Sequence, residues 1–166
     1  MNHQVQLITE LDASVWRLLW QNLSAITEAE LDWRPHPAAG SVRGIVGYLA
    51  WFEEWTTDAL WGDGRYRTDD GPKPYLDIPF VEVRARLESA NSRYRRRVEG
   101  LKESDLHKRV SFLRKQELSV LDLLRMHPLH LAGHRFQIRY IRAAYSRMKS
   151  GAKPGRRDTM DTWQVA

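Results

Sequence analysis

The sequence predicts an all-α fold, a four-helix bundle with one long crossover connection. Three observations carry this. Apolar residues recur at helical spacing over four segments of bundle length. No segment alternates apolar and polar residues as a half-buried strand does. The longest break between periodic segments, residues 62–78, is polar and rich in glycine and proline, long enough to lead the chain back along a bundle. All four segments fall within residues 1–148, read as one domain, with 149–166 as a C-terminal arm.

The first helix is expected over residues 2–26, with Ile8, Leu11, Val15, Leu18 and Asn22 on one row and Trp16, Trp20 and Leu23 on a second. Two prolines and a glycine in the connector LDWRPHPAAG separate it from the next helix. Ser41 is the expected N-cap of the second helix, which carries Val42, Ile45, Val46, Leu49 and Phe52 on its stripe and runs to about Trp61. Gly44 and Gly47 weaken it by up to ~1 kcal/mol each relative to alanine and leave room for a close approach.

The third helix starts near Pro79, with Phe80, Val83, Leu87, Asn91, Tyr94, Val98 and Leu101 on its buried side. Its outer side carries Arg84, Arg86, Arg93, Arg95, Arg96 and Arg97, interleaved with Glu82, Glu88 and Glu99. Residues 102–118 read as a mixed connector. Ser119 and Asp122 then form a capping box with a shortened acid, opening a fourth helix to about Met148. Its stripe is Val120, Leu124, His127, Leu131, His134, Ile138, Ile141, Tyr145 and Met148, and Pro128 is expected to kink it or remove one hydrogen bond.

Composition narrows the function. With 166 residues, 42% hydrophobic and 28% charged, the chain has the makeup of a globular domain with a real core. Cysteine is absent, which excludes disulfides, a cysteine nucleophile and a thiolate zinc site. The amino terminus has neither a basic region nor a long apolar stretch, and no apolar run reaches the ~20 residues of a membrane span, so a cytoplasmic protein is expected. The net charge of +5 is mild, and the arginines of the third helix read as a solvated face, so nucleic acid is not an expected partner. The seven tryptophans are read mainly as core, with Trp51 and Trp55 as candidate walls of an apolar pocket beside Tyr48. Leu129, Ala132, Phe136 and Ala143 form a second apolar row opposite the histidines that suits packing on another element or on a partner subunit, which admits a homodimer.

His127, His130 and His134 stand at i, i+3 and i+7, on one side of the fourth helix. His130 and His134, one turn apart, can converge on one metal ion as two histidines of one helix do in zinc sites. Gln137, a turn beyond His134, suits an outer hydrogen-bond partner. A third ligand is open among His127, Glu53, Glu54, His36 and Tyr48. The alternative is a buried polar cluster with no metal.

Two stretches resemble a known family. LDWRPHPAAGSVRGIVGYLAWFEEW is similar to the region of the first two helices in the DinB/YfiT-like superfamily, and LLRMHPLHLAGHRFQIRYIR is similar to its last core helix, with an H-x-x-x-H-x-x-Q pattern on His130, His134 and Gln137. The resemblance implies a four-helix bundle with a crossover, often a homodimer, and a divalent-metal site of three histidines, one from the second helix and two from the last. It also implies, for some relatives, thiol-dependent transferase or isomerase activity with bacillithiol, mycothiol or glutathione. This sequence departs where the second helix should give its histidine: GYLAW has Tyr48 there. The expected function is a divalent-metal-dependent enzyme, a hydrolase or thiol S-transferase, with an atypical or degenerate metal site. Zn²⁺ or Ni²⁺ would rest on His130, His134 and Tyr48, with Gln137, His127, Trp51 and Glu54 around them. The competing expectation is a non-catalytic dimeric bundle, without metal, that binds a small ligand or a protein partner.

Overall fold

The structure, a computed structural model, describes residues 3–61, 72–112 and 116–151. Its elements in chain order are α1 (His3–Leu23), α2 (Glu28–Asp32), α3 (Val42–Trp61), α4 (Lys73–Leu76), α5 (Phe80–Glu99), a 3₁₀ turn (Glu103–Asp105), β1 (Arg109–Phe112), β2 (Gln116–Ser119) and α6 (Val120–Ser150). The long helices α1, α3, α5 and α6 are the four expected ones. The outer part of the crossing segment, the loop between the strands and the expected arm from residue 152 lie outside the described residues.

Local chemistry sets the helix ends. Ser41 accepts the Gly44 N–H at 3.2 Å at the start of α3. Ser119 accepts the Asp122 N–H at 3.1 Å at the start of α6. At the far end of α6, Gly151 takes φ +66 and closes the helix onto the carbonyls of Arg147 and Met148, a left-handed cap that glycine adopts without a Cβ clash. α6 runs through Pro128 as one element, so of the two expected outcomes the lost N–H is realised without a break.

Paired residues give the directions. Val5 clusters with Val120 and Leu124, Asp12 meets His127, and Asn22 Nδ2 donates to the Arg135 carbonyl, so α1 and α6 run parallel. Tyr48 meets His130 while Glu53 meets His127, so α3 runs against α6. Val5 packs with Tyr94 and Val98, so α5 runs against α1 and parallel to α3. Parallel neighbours cannot be joined by a hairpin, so the chain after α3 must return to where α3 began, as a crossover bundle requires. The return ends at α4, where a Cβ on Gly47 would sit 3.3 Å from the Tyr75 side chain.

The core joins Val42, Val46 and Leu49 of α3, Leu19 and Leu23 of α1, Val83 and Leu87 of α5, and Leu131 and Ile138 of α6. Arg142 of α6 fixes the end of α1, donating to Glu30 Oε1 at 2.5 Å and to the Asn22 and Ser24 carbonyls.

Three expectations need correction. Residues 102–118 are not a plain connector: Arg109–Phe112 and Gln116–Ser119 pair antiparallel, Arg109 opposite Ser119, in a small hairpin whose strands are too short to read as a period. A short helix capped by Thr27 occupies residues 28–32. The buried row of α1 is Val5, Asp12, Val15, Trp16, Leu19 and Leu23, whereas Leu11 is half exposed, because the helix presents to the core the row that includes an aspartate.

Candidate functional site

α6 sends its three histidines to two places. His130 and His134 turn toward α3, and His127 turns into the centre of the bundle. One helical turn separates His130 from His134, which brings their Nε2 atoms to 3.2 Å. Tyr48 of α3 places its Oη 3.2 Å from the same His130 Nε2. The rings pack closely, with the Tyr48 centroid 5.0 Å from His134 and the Phe52 centroid 4.0 Å from His130. Trp51 stands beside Tyr48 at 5.7 Å.

Both imidazoles are neutral at neutral pH. Burial, with the neighbouring His134 and His127, pulls the His130 pKa down to about 4. Burial also lowers His134, against the opposing hydrogen bond of Gln137. Gln137 Oε1 accepts from His134 Nδ1–H at 2.8 Å, which leaves the lone pair of His134 on Nε2, facing the cluster. His130 lacks such a prop: its Nδ1 is buried with no partner.

These atoms can be tested against a metal ion. Zinc takes imidazole nitrogens at ~2.0–2.1 Å, which sets two tetrahedral ligand nitrogens ~3.3 Å apart. The two Nε2 atoms, 3.2 Å apart, meet that spacing, and Tyr48 Oη offers an oxygen at the same point. Among the described residues no group of three or more His, Cys, Asp or Glu side chains is placed to hold a metal. The donor set thus fits an ion held by two nitrogens and a phenol oxygen with open positions, not a closed four-ligand structural site.

His127 is elsewhere than expected. It is 1% exposed, its Nδ1 lies 2.7 Å from Asp12 Oδ1 and its Nε2 lies 2.6 Å from Glu53 Oε2. Glu53 in turn accepts from Asn91 Nδ2 at 3.2 Å, and the Tyr94 ring stacks on the imidazole at 4.1 Å. Burial works against the charge on His127, but the Glu53 charge and the bonds to Asp12 and Glu53 outweigh it and raise the pKa to about 10. A buried imidazolium between two carboxylates thus ties all four long helices together. Neither ring nitrogen is left for the His130 cluster, and Glu53, once a candidate ligand, is spent on this array. Burial and the charges of Asp12 and Glu53 keep the Tyr94 hydroxyl well above its ordinary pKa, hence neutral.

Glu54 also lies apart from the histidine pair: Tyr75 Oη donates to it at 2.5 Å and Arg93 is 3.9 Å away. His36 stays in its connector, accepting the Ala38 N–H. On α5, Arg84 pairs with Glu88 and Arg86 with Glu82, as on a solvated face. Among the described residues no helix is long and apolar enough to cross a membrane. Sequence reasoning missed Asp12, Asn91 and Tyr94 as partners of His127. The signal was there: Asp12, Glu53 and Asn91 are polar positions inside apolar helical rows, and such groups need partners.

Comparison with known proteins agrees with this architecture. The family model of the DinB superfamily matches residues 12–138. The chain is similar to the crystal structure of TT2238, a four-helix bundle protein, with a TM-score of 0.66 at 18% identity, over 82% of this chain and 98% of that one. That likeness is one of fold. No curated protein matches.

Proposed function

This chain belongs to the DinB superfamily, and from that premise we propose that it is a divalent-metal-dependent enzyme with an atypical centre formed by His130, His134 and Tyr48. The observation that carries this is the convergence of two neutral imidazole Nε2 atoms and one phenol oxygen, each 3.2 Å from the next. Imidazole nitrogen suits Zn²⁺ or Ni²⁺. When bound, such an ion supplies Lewis acidity and lowers the pKa of a coordinated water or thiol. His130 and His134 would hold it through Nε2. Gln137 keeps the His134 proton on Nδ1 and so keeps the ligand lone pair aimed. Tyr48 is the weak member, since a phenol with an ordinary pKa of ~10 resists ionisation. Trp51 and Phe52 wall the centre on the α3 side.

A hydrolase and a thiol S-transferase are the two reaction classes this centre supports. Because the chain has no cysteine, the thiol of a transferase would come from a small-molecule cofactor or substrate. The test is elemental analysis and calorimetry after dialysis against Zn²⁺ or Ni²⁺. One ion per chain is expected, lost in His134→Ala. Absence of bound ion and no response of thermal stability to either ion would refute the metal reading.

A second reading has its own support. The cluster also holds together without an ion: His134 Nδ1–H donates to Gln137, His130 Nε2–H donates to the His134 Nε2 lone pair, and Tyr48 Oη lies 3.2 Å from the same His130 nitrogen. On that reading the protein is a non-catalytic bundle acting through a small ligand or a partner. Either reading accommodates a homodimer. Leu129, Phe136 and Tyr140 are exposed at 68%, 42% and 61% on the outer face of α6, and Gly133 between them has nothing within 4 Å of its Cβ position. A row of this kind suits a second copy of the helix.

A further inference from the structure

Tyr48 and Glu53 lie on α3, and His130 and His127 lie on α6. Since these helices run in opposite directions, the Tyr48–His130 and Glu53–His127 contacts are successive rungs between the same two elements. The Phe52 ring fills the space between them, 4.0 Å from His130 and 6.2 Å from His127. Two rungs of fixed length set both the slide and the roll of one helix against the other.

The rungs are unequal. His127 and Glu53 have side chains 1% and 3% exposed, and their bond is charge-assisted at 2.6 Å. Tyr48–His130 is neutral, half-buried and longer at 3.2 Å. The inner rung is also braced at both ends, by Asp12 and the Tyr94 ring on His127 and by Asn91 on Glu53. On the outer rung His134 meets His130 at Nε2 only, and His130 Nδ1 has no partner. A slide of one residue along a helix is ~1.5 Å, enough to carry a 3.2 Å contact out of hydrogen-bond range.

We propose that His127 and Glu53 are positioning residues for the Tyr48–His130–His134 cluster: their bond sets the register of α6 against α3 and so delivers His130 to Tyr48. The metal arm of the test rests on the function proposed above, and the register arm does not. Glu53→Gln keeps the geometry without the charge. Its amide oxygen still accepts from Asn91, and its amide N–H donates to a neutral His127 whose Nδ1–H stays on Asp12. Glu53→Met keeps the bulk and removes the bond. Glu53→Asp keeps the charge and shortens the arm, and stands in should the methionine variant fail to fold. Asp12→Leu cuts the same histidine from α1 and leaves the α3 rung.

The readouts are the NMR cross-peak between the Tyr48 and His130 rings in metal-free protein and Ni²⁺ affinity by calorimetry. Glu53→Gln is expected to keep the cross-peak and to bind Ni²⁺ within about threefold of the parent. Folded Glu53→Met, or Glu53→Asp, loses the cross-peak and about tenfold or more in Ni²⁺ affinity, the scale of an outer partner's loss. Asp12→Leu lowers the melting temperature and keeps both. The proposal is overturned if the cross-peak survives in both Glu53→Met and Glu53→Asp, or if Asp12→Leu disrupts it equally. Should the parent bind no Ni²⁺, the metal reading falls and the cross-peak still decides the register.

Discussion

Tyr48 Oη lies 3.2 Å from His130 Nε2, where the family resemblance would put an imidazole from the same helix. A neutral phenol sits beside a neutral imidazole at no cost, but must lose its proton to become a strong ligand. Tyr48→His should therefore raise Ni²⁺ or Zn²⁺ affinity by about tenfold or more, by completing the three nitrogens common in catalytic zinc sites. Tyr48→Phe should weaken binding and lower stability by about 1 kcal/mol through the lost hydrogen bond. Calorimetric titration of the three proteins checks this. An unchanged affinity in Tyr48→His would mean that the pocket is not shaped for an ion.

The array around His127 makes a different kind of prediction, about context. His127→Ala strands two buried carboxylates, and breaking a buried ion pair on one side costs roughly 3–5 kcal/mol. Replacing Asp12, His127 and Glu53 together with apolar residues of similar volume strands no charge. The triple variant should then be more stable than His127→Ala alone, as read by urea unfolding. If it is the less stable of the two, the array contributes beyond mutual neutralisation.

pH gives the sign of the same interaction. Burial pulls the His127 pKa down, but Glu53 and Asp12 lift it from 6.5 to about 10 in the folded protein. A group whose folded pKa is raised binds its proton more tightly when folded. Its stabilisation is complete below pH 6.5, shrinks as the pH climbs, and is gone above about 10. In Glu53→Gln the main attraction is absent. The stability gap between parent and variant should therefore narrow steadily from pH 6.5 to 10, measured by urea unfolding across that range. Parallel curves would place the His127 proton elsewhere.

The fold was legible because its signals are long. Four helices marked by apolar periodicity, and Ser41 and Ser119 as caps, emerge from the chain itself and appear in the structure. The i, i+4 spacing of His130 and His134, and Gln137 as their outer partner, were equally local. What was not legible is non-local. His127 sits in the same stripe as His134, and nothing in α6 says that an aspartate of α1 and a glutamate of α3 wait for it. Asp12 is hidden because apolar spacing in α1 favours the neighbouring row, with Leu11 and Leu18; the buried row trades an apolar residue for a charge whose partner is 115 residues away. The hairpin of four-residue strands was too short to register against its surroundings.

The outer face of α6 predicts the oligomeric state. Leu129, Phe136 and Tyr140 expose a row that a monomer would leave to water. Light scattering after size exclusion should find a dimer at micromolar concentration, and Phe136→Glu should leave a monomer with an unchanged helical spectrum. A monomeric parent would leave this face without a second copy to cover it.

Two glycines in the same kind of backbone should respond in opposite ways. Alanine in place of a mid-helix glycine gains about 0.5–1 kcal/mol when the space is free. Gly133 has nothing within 4 Å of the Cβ position, so Gly133→Ala should stabilise the monomer by about that amount. At Gly47 the new methyl meets the Tyr75 Cβ at 3.3 Å and Leu76 at 3.4 Å, and Tyr75 is anchored by its hydroxyl to Glu54. α4 must give way, or the methyl must be accommodated by strain of the order of 1–3 kcal/mol, which exceeds the propensity gain. Gly47→Ala should therefore lower the urea midpoint, while Gly133→Ala should raise it in the monomeric Phe136→Glu background. A second variant separates the causes: Gly47→Ala combined with Tyr75→Ala keeps the Cβ that the new methyl meets but removes the hydroxyl anchor on Glu54, so any recovery of stability relative to Tyr75→Ala alone reports the freedom of α4 to shift. A gain from Gly47→Ala in the parent would mean that α4 is not seated on α3 as described.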